Sequence, residues 1–276
     1  MRRPDEAEIA ARVARRLGLA FTEAVILNRG TNVLVHLSPA PVVARVTRLA
    51  HLVRPVSDLA GAMALARSET MRDRVVAPTS LLDPGPHIED SRYVTFWTYY
   101  PAGTSAPLAT PAEAGSSLRL LHESARAYRG PLRSFDPRPE ALKIADIVDP
   151  GIGGLLRSVA NAITVPDLAR QPIHGDAHEE NALAGGVWQD LDEVCAGPTE
   201  WDLASLQHRW YLFGERQAET AAALSAYGAH DHRAVELLGP LVVLAIAAWG
   251  SLAPHIGEDV GPRTRVRLAW LSDRYG

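Results

Sequence analysis

The residues best placed to do chemistry lie in one short run. His174-Gly175-Asp176-Ala177-His178-Glu179-Glu180-Asn181 is followed, after Ala182 to Gln189, by Asp190. Asp176 is a carboxylate able to orient and take the proton of a hydroxyl. Asn181 and Asp190 are hard oxygen donors of the kind magnesium takes, usually one or two carboxylates supplemented by waters and substrate phosphates. A second reading pairs His174 with His178 at i, i+4 as a zinc site. Gly175 breaks the helix that such a pair needs, and no third ligand follows in the sequence.

The elements between these donors decide whether they meet. Ala182-Leu183-Ala184 and Val187-Trp188-Gln189 read as two short strands, and Gly185-Gly186 as a two-residue turn in which glycine permits positive φ. That register sets Ala184 opposite Val187, Leu183 opposite Trp188 and Asn181 opposite Asp190, so the two oxygen donors are expected at the open end of a hairpin. Asp176 is left free of the metal.

The chain has 276 residues, room for two lobes or one large domain, and a net charge of -4, which offers no basic footprint for nucleic acid. Cys195 is its only cysteine, so no internal disulfide forms and a cytoplasmic setting is expected. Arg2, Arg3, Arg12, Arg15 and Arg16 are interrupted by Asp5, Glu6 and Glu8, the pattern of an amphipathic helix rather than a targeting segment. Leu241 to Ala248 with Trp249, after Gly239-Pro240, is too short for a bilayer, which needs roughly 20 residues, and reads as a core helix. No membrane association is expected.

Up to about residue 100, strand-like runs dominate: Ala24 to Leu27, Val33 to Leu37, Val42 to Val46 and Tyr93 to Tyr100, with a helix over Asp58 to Met71. Pro101 to Pro107 reads as a connector. Helical periodicity then takes over in Pro111 to Tyr128, Gly151 to Ile163, Trp201 to Phe213 and Ala218 to Tyr227. The expectation is an α+β chain with a small mixed-sheet lobe over 1–100 and a larger, mainly helical lobe over 101–276.

The chain resembles the aminoglycoside phosphotransferase and choline kinase group of small-molecule kinases, which share the two-lobed protein-kinase-like fold. His174-Gly175-Asp176 with Asn181 matches that group's catalytic motif, and Asp190 its metal-binding Asp. Gly197-Pro198-Thr199-Glu200-Trp201-Asp202-Leu203-Ala204 matches its closing segment. The resemblance implies ATP- and Mg2+-dependent transfer of a γ-phosphoryl group to a hydroxyl, with GTP not excluded. It implies that Asp202 lies under the catalytic loop and accepts its N–H groups, and that His174 packs the loop.

The same resemblance extends into the first lobe. Val42-Val43-Ala44-Arg45-Val46 stands where kinases carry the strand with a phosphate-binding lysine, so Arg45 takes that place. The helix acid that should pair with it falls near Ala62, where there is none; Asp58 or Glu69 are the substitutes in reach. Gly30-Thr31-Asn32, within Arg29 to Asn32, resembles a phosphate-covering turn, though a plain hairpin turn fits equally. Phe96 to Pro101 resembles the hinge, with backbone groups near Thr98 and Tyr100 expected at the adenine.

From Asp190 to Asp202 there is no room for the activation loop by which protein kinases dock a polypeptide, so a small-molecule alcohol is the expected partner. No basic residue lies between Arg170 and Arg209, whereas Glu179, Glu180, Asp192, Glu193 and Glu200 all do. These acids read either as a solvated loop or as a rim for a cationic acceptor such as an amino sugar or a choline-like alcohol. A catalytically silent, kinase-shaped nucleotide sensor is the alternative to an enzyme. The pattern does not set the oligomeric state.

Overall fold

The computed structural model describes residues 5–100 and 108–276. Arg2, Arg3 and the expected connector from Pro101 to Pro107 lie outside them. Helix α1 (Glu6–Arg16) opens on a capping box, in which Asp5 accepts the Glu8 N–H at 2.8 Å and Glu8 accepts the Asp5 N–H at 3.0 Å. Its buried stripe, Ile9, Ala10, Val13 and Ala14, lies on a five-stranded antiparallel sheet. Arg12 and Arg16 on its outer face pair with Glu89.

The strands are β1 (Glu23–Arg29), β2 (Asn32–Ser38), β3 (Val42–Thr47), β4 (His87–Glu89) and β5 (Arg92–Thr98), in the order β1-β2-β3-β5-β4. Side chains alternate across a strand. Val42, Ala44 and Val46 therefore join α1 in the core of the sheet, while Arg45 projects from the opposite face. Three-residue β4 escaped the sequence pattern because prolines at 84 and 86 bound a run too short to show alternation. Strand β5 stops at Thr98, before the two tyrosines expected in it.

Helix α2 (Val56–Ala66) is shorter than the sequence pattern predicts. The Ser68 hydroxyl donates to the Leu65 carbonyl at 2.7 Å, a local bond that competes with helix continuation, and Glu69–Met71 forms a separate 3-10 turn. Ala62, Met63, Leu65 and Ala66 of α2 pack in the same cluster as Leu118 and Leu121, not with the sheet. The division at residue 100 thus follows the chain but not the packing: the segment from Leu49 to Val75 contributes to the core of the helical lobe.

That lobe contains α3 (Pro111–Ala125), α4 (Arg138–Ala145), α5 (Pro150–Ala162), α6 (Thr199–Leu206), α7 (His208–Phe213), α8 (Gln217–Tyr227), α9 (His232–Gly250) and α10 (Pro262–Tyr275). Short α4 and arginine-rich α10 lie outside the helical runs expected from the sequence. The run expected over Trp201 to Phe213 divides at Gln207 into α6 and α7. Helix α9 starts well before the apolar stretch, where Asp231 accepts the Ala234 N–H at 3.0 Å, and continues through Pro240. By length and composition α9 is apolar enough to cross a bilayer. It is instead the central core helix, with Leu238, Leu241, Val243, Leu244 and Ala247 fully buried against its helical neighbours.

Two small ladders frame the loop that carries the chemistry. Strand β6 (Gln171–Ile173) pairs with β9 (Cys195–Gly197), and β7 (Ala182–Leu183) with β8 (Val187–Trp188). Cys195 is buried in β9, and burial pushes its thiol up to about 12, so it is an inert core residue.

Candidate active site

The hairpin between Asn181 and Asp190 forms, but one residue out of the expected register. Ala182 faces Trp188 and Leu183 faces Val187, so the turn holds three residues, Ala184, Gly185 and Gly186, with both glycines at positive φ. A three-residue loop is the next commonest hairpin connection, and nothing in two adjacent glycines chooses between it and the shorter one. Asn181 therefore lies opposite Gln189, whose N–H it accepts at 2.9 Å, and not opposite Asp190. The backbone at Asp190 then turns into the left-handed region, φ 61°, and this brings Asp190 to line the same cavity as Asn181 and Asp176.

Beneath the loop every polar group is satisfied. Asp202, at the start of α6 and completely buried, accepts the His174 N–H at 2.8 Å with one oxygen and the Gly175 N–H at 2.8 Å with the other. The first oxygen also meets His122 Nε2 at 2.8 Å, and His122 Nδ1 meets the Tyr227 hydroxyl at 2.9 Å. Trp201 donates its indole N–H to the Gly175 carbonyl at 2.7 Å. His122 and Tyr227 escaped the sequence reading because they come from α3 and α8, with no local signal. Gly175 has φ 86°, and a Cβ there would collide with the Glu193 carbonyl, so only glycine fits.

His174 is held inside the loop. Its Nδ1 receives the Asp176 N–H at 3.3 Å, its Nε2 contacts the Gln189 carbonyl at 2.8 Å, and its ring packs edge-on against Trp188. With both nitrogens engaged it has no lone pair for zinc. Among the described residues no group of three or more His, Cys, Asp or Glu side chains is placed to hold a metal, which removes the zinc reading. His178 instead stands beside Asp176, Nε2 to Oδ2 at 3.6 Å. Burial opposes its charge, but the hydrogen bond and charge of Asp176, with Asp190 and Glu180, outweigh it and push the imidazole up to about 9.

Above the loop, Arg45 is buried between two carboxylates. It hydrogen-bonds Asp190, and its Nε lies 3.1 Å from Asp192. Asp192 also accepts the side-chain N–H of Asn32 at 3.0 Å, which ties the turn between β1 and β2 to the segment after Asp190. Neither Asp58 nor Glu69 serves Arg45, and Glu69 pairs with Arg72. The missing helix acid is thus replaced by two acids some 145 residues along the chain. Burial would raise Asp190, but the charge and hydrogen bond of Arg45 hold it below the usual carboxylate range. Asp192 goes the other way: burial, with Asp190 and Glu193 nearby, pushes it to about 6 despite Arg45.

The acids expected as an open rim are mostly spoken for. Glu193 and Glu140 bind Arg54, and Glu193 also takes Arg133 at 2.9 Å. Glu179 lies 2.7 Å from both Arg209 and Arg216, and Glu180 2.7 Å from Arg209. Asp192 is inside the Arg45 set, and Glu200 lines neither of the two cavities. Counting charge along the chain sees no cation between Arg170 and Arg209; folding delivers Arg45, Arg54, Arg133 and Arg216 from other elements.

Two cavities meet at Asp176. The first, about 640 Å³, lies between the sheet and the loop and is lined by Gly30, Thr31, Asn32, Arg45, Thr98 and Tyr100 together with Asn181 and Asp190. Its Thr98 N–H is already donated to the Ala77 carbonyl at 2.9 Å, so that amide is not open to a base; the Thr98 carbonyl and the Tyr100 backbone are the remaining hinge groups. The second, about 350 Å³, runs into the helical lobe and shares Thr31, Asn32, Asp176, His178, Glu180 and Asp190 with the first. The donor set suits magnesium. Asn181 gives its side-chain N–H to the Asp176 carbonyl at 3.0 Å, so its amide oxygen could serve as a donor to a cation, beside a carboxylate held ionised at Asp190.

No protein-family model matches the chain, and no curated protein matches it in sequence. Solved structures do match it in shape. An amicoumacin kinase in complex with AMP-PNP and Ca2+ has a TM-score of 0.70 at 14% identity, over 99% of this chain and 93% of that one. The choline kinase LicA of Streptococcus pneumoniae has a TM-score of 0.66 at 16% identity, over 96% of each chain. A microcompartment-associated aminopropanol kinase has a TM-score of 0.60 at 16% identity, over 95% and 93%. The chain has the two-lobed protein-kinase-like fold that these small-molecule kinases share, as the motif resemblance implies.

Proposed function

We propose that this chain is a small-molecule kinase that transfers the γ-phosphoryl group of ATP to the hydroxyl of a small alcohol in the cytoplasm. The observation that carries the reading is the position of Asp176, a partly exposed carboxylate at the junction of a nucleotide-sized cavity and a smaller one. A donor in the first and an acceptor in the second would meet at that carboxylate.

Phosphoryl transfer demands positioning and charge stabilisation more than covalent help from the protein. Asp176 orients the acceptor hydroxyl and takes its proton as the new P–O bond forms. Arg45, always ionised, supplies two-toothed contact to phosphate oxygens and gives up its hold on Asp190 and Asp192 to do so. The turn at Gly30-Thr31-Asn32 covers the phosphates. Asn181 and Asp190 would hold magnesium, whose positive charge would offset that of the phosphates when bound. Asp202 and Trp201 hold the loop rigid, so Asp176 is in place before the substrate arrives.

The short path from Asp190 to α6 supports a small acceptor: a 3-10 turn at Leu191–Glu193 leads directly into β9, with no segment to dock a polypeptide. A silent nucleotide sensor is the second reading, favoured by the ion pairs that neutralise Arg45. Nucleotide binding measured with and without Mg2+, for ATP and GTP, beside ADP release on an alcohol panel separates the two. Turnover on any acceptor supports the kinase; tight Mg2+-dependent binding with no turnover on a broad panel supports the sensor.

A further inference from the structure

The acids that line the smaller cavity have partners, whereas one buried cation that lines it has no carboxylate partner among the described residues. Arg267 of α10 is 8% exposed and lines the cavity, yet no carboxylate among the described residues pairs with it. Its Nε donates to His208 Nε2 at 3.0 Å, its one hydrogen bond among the described residues. The Phe213 ring lies 5.2 Å away and is shared with Arg263 at 5.3 Å, a contact that attracts the charge but accepts no N–H.

The groups nearest to Arg267 do not compensate its charge. His208, with Arg267, Arg209 and Arg263 close by and burial against it, is lowered to about 3 and is a neutral ring. Since Nε2 accepts from Arg267, the ring proton is on Nδ1, which is buried and meets no acceptor. Burial together with Arg263 and Arg209 lowers Arg267 itself to about 10. Arg209 and Arg263 have carboxylate partners of their own, so the unmatched donors are the terminal nitrogens of Arg267 and the Nδ1–H of His208. The same cavity is lined by the carboxylate of Asp176 and by Phe135, Ile144, Val242, Ile246 and Trp249 as apolar walls.

We propose that Arg267 is the binding residue for a carboxylate on the acceptor, so that the kinase takes a compact, apolar-bodied hydroxy acid rather than a cationic alcohol. With Nε committed to His208, the two terminal nitrogens present the end-on edge that a planar carboxylate matches with two parallel hydrogen bonds. A cavity of about 350 Å³ is at the small end of the usual range for ligand sites, which fits a metabolite-sized molecule. This inference deepens the phosphotransferase reading and rests on it for the role of the cavity.

The test uses three probes of one shape that differ in charge: 3-phenylpropionate, 3-phenylpropionamide and 3-phenylpropylamine, titrated calorimetrically into wild type, Arg267→Gln and Arg267→Lys. In wild type the carboxylate should bind about tenfold or more tighter than the amide, the scale of hydrogen bonds to a charged group, and the amine weakest of all. Arg267→Gln should erase that preference, and Arg267→Lys should keep part of it. Carboxylate binding no better than the amide or the amine, including no binding by any of them, overturns the proposal, as does an unchanged preference in Arg267→Gln. The ratio between probes is read, so a general loss of stability in a variant does not mimic the result.

ATP binding and turnover are followed in the same preparations. Turnover on a cationic alcohol without carboxylate preference would sink this inference alone. Carboxylate preference without any nucleotide binding would sink the phosphotransferase reading and leave the anion site standing.

Discussion

The loop carrying Asp176 is held differently from below and from above. Below, Asp202 gathers two backbone N–H groups and His122, and Tyr227 closes the chain, all inside the protein and all satisfied. Above, Arg45 is shared between Asp190 and Asp192, two like charges close enough to push their titrations apart. The lower set is a framework with one arrangement. The upper set is a collection of charges in which Arg45 has two carboxylate partners to choose between. The proposed phosphoryl transfer would use both, one to fix the Asp176 carboxylate that meets the acceptor and one to adapt to the donor.

That contrast breaks most visibly from below. Asp202→Ala strands His122 and two loop N–H groups, and removing one member of such a buried set costs about 3–5 kcal/mol; chemical denaturation measures it. A loss under about 1 kcal/mol would mean that the loop is held by something other than Asp202.

A smaller effect is expected from above. Asp192→Asn should change stability by under about 1 kcal/mol at neutral pH, because the charge it removes is already disfavoured by burial. It should nevertheless raise the KM for nucleotide several-fold, since Arg45 and Asn32 lose a shared anchor. A large stability loss with unaltered nucleotide KM would reverse the proposed roles of the two sets.

The same residue sharpens the comparison through pH. The folded protein binds the Asp192 proton more tightly than the unfolded chain does, with the carboxyl raised from 3.8 to about 6. Its contribution to stability is therefore greatest below 3.8 and declines as pH rises to about 6. The stability difference between wild type and Asp192→Asn should move in favour of the variant across that window and level off above it. A flat difference would show that Asp192 is not perturbed. An effect confined to stability belongs to Tyr227→Phe, which removes one hydrogen bond to His122 and should cost about 1 kcal/mol by thermal unfolding, with turnover retained.

The same two regions show what sequence can reveal. The arrangement of the loop was legible because it is local: His174, Gly175, Asp176 and Asn181 lie within eight consecutive residues, and Asp202 follows at a recognisable spacing. The hairpin was legible as a hairpin but not in register, because Ala184, Gly185 and Gly186 satisfy a three-residue turn as readily as the glycines alone satisfy a shorter one. The partner of Arg45 was not legible at all. It depends on the fold bringing β3 onto the segment after Asp190, and no periodicity encodes that contact. The cations that meet the acidic segment were not legible for the same reason, as Arg209 of α7, Arg216 just before α8, and Arg54 and Arg133 from the segments before α2 and α4 reach those acids in space.

The central claim is that Asp176 acts on the acceptor and not on the nucleotide. Magnesium-dependent ATP affinity and ADP release on an alcohol panel, measured side by side for wild type and Asp176→Asn, test it most directly. The account predicts ATP affinity equal within about twofold and turnover lower by about 10²–10⁴, the usual contribution of a positioned base. Turnover that survives the substitution, or nucleotide binding that vanishes with it, would contradict the assignment.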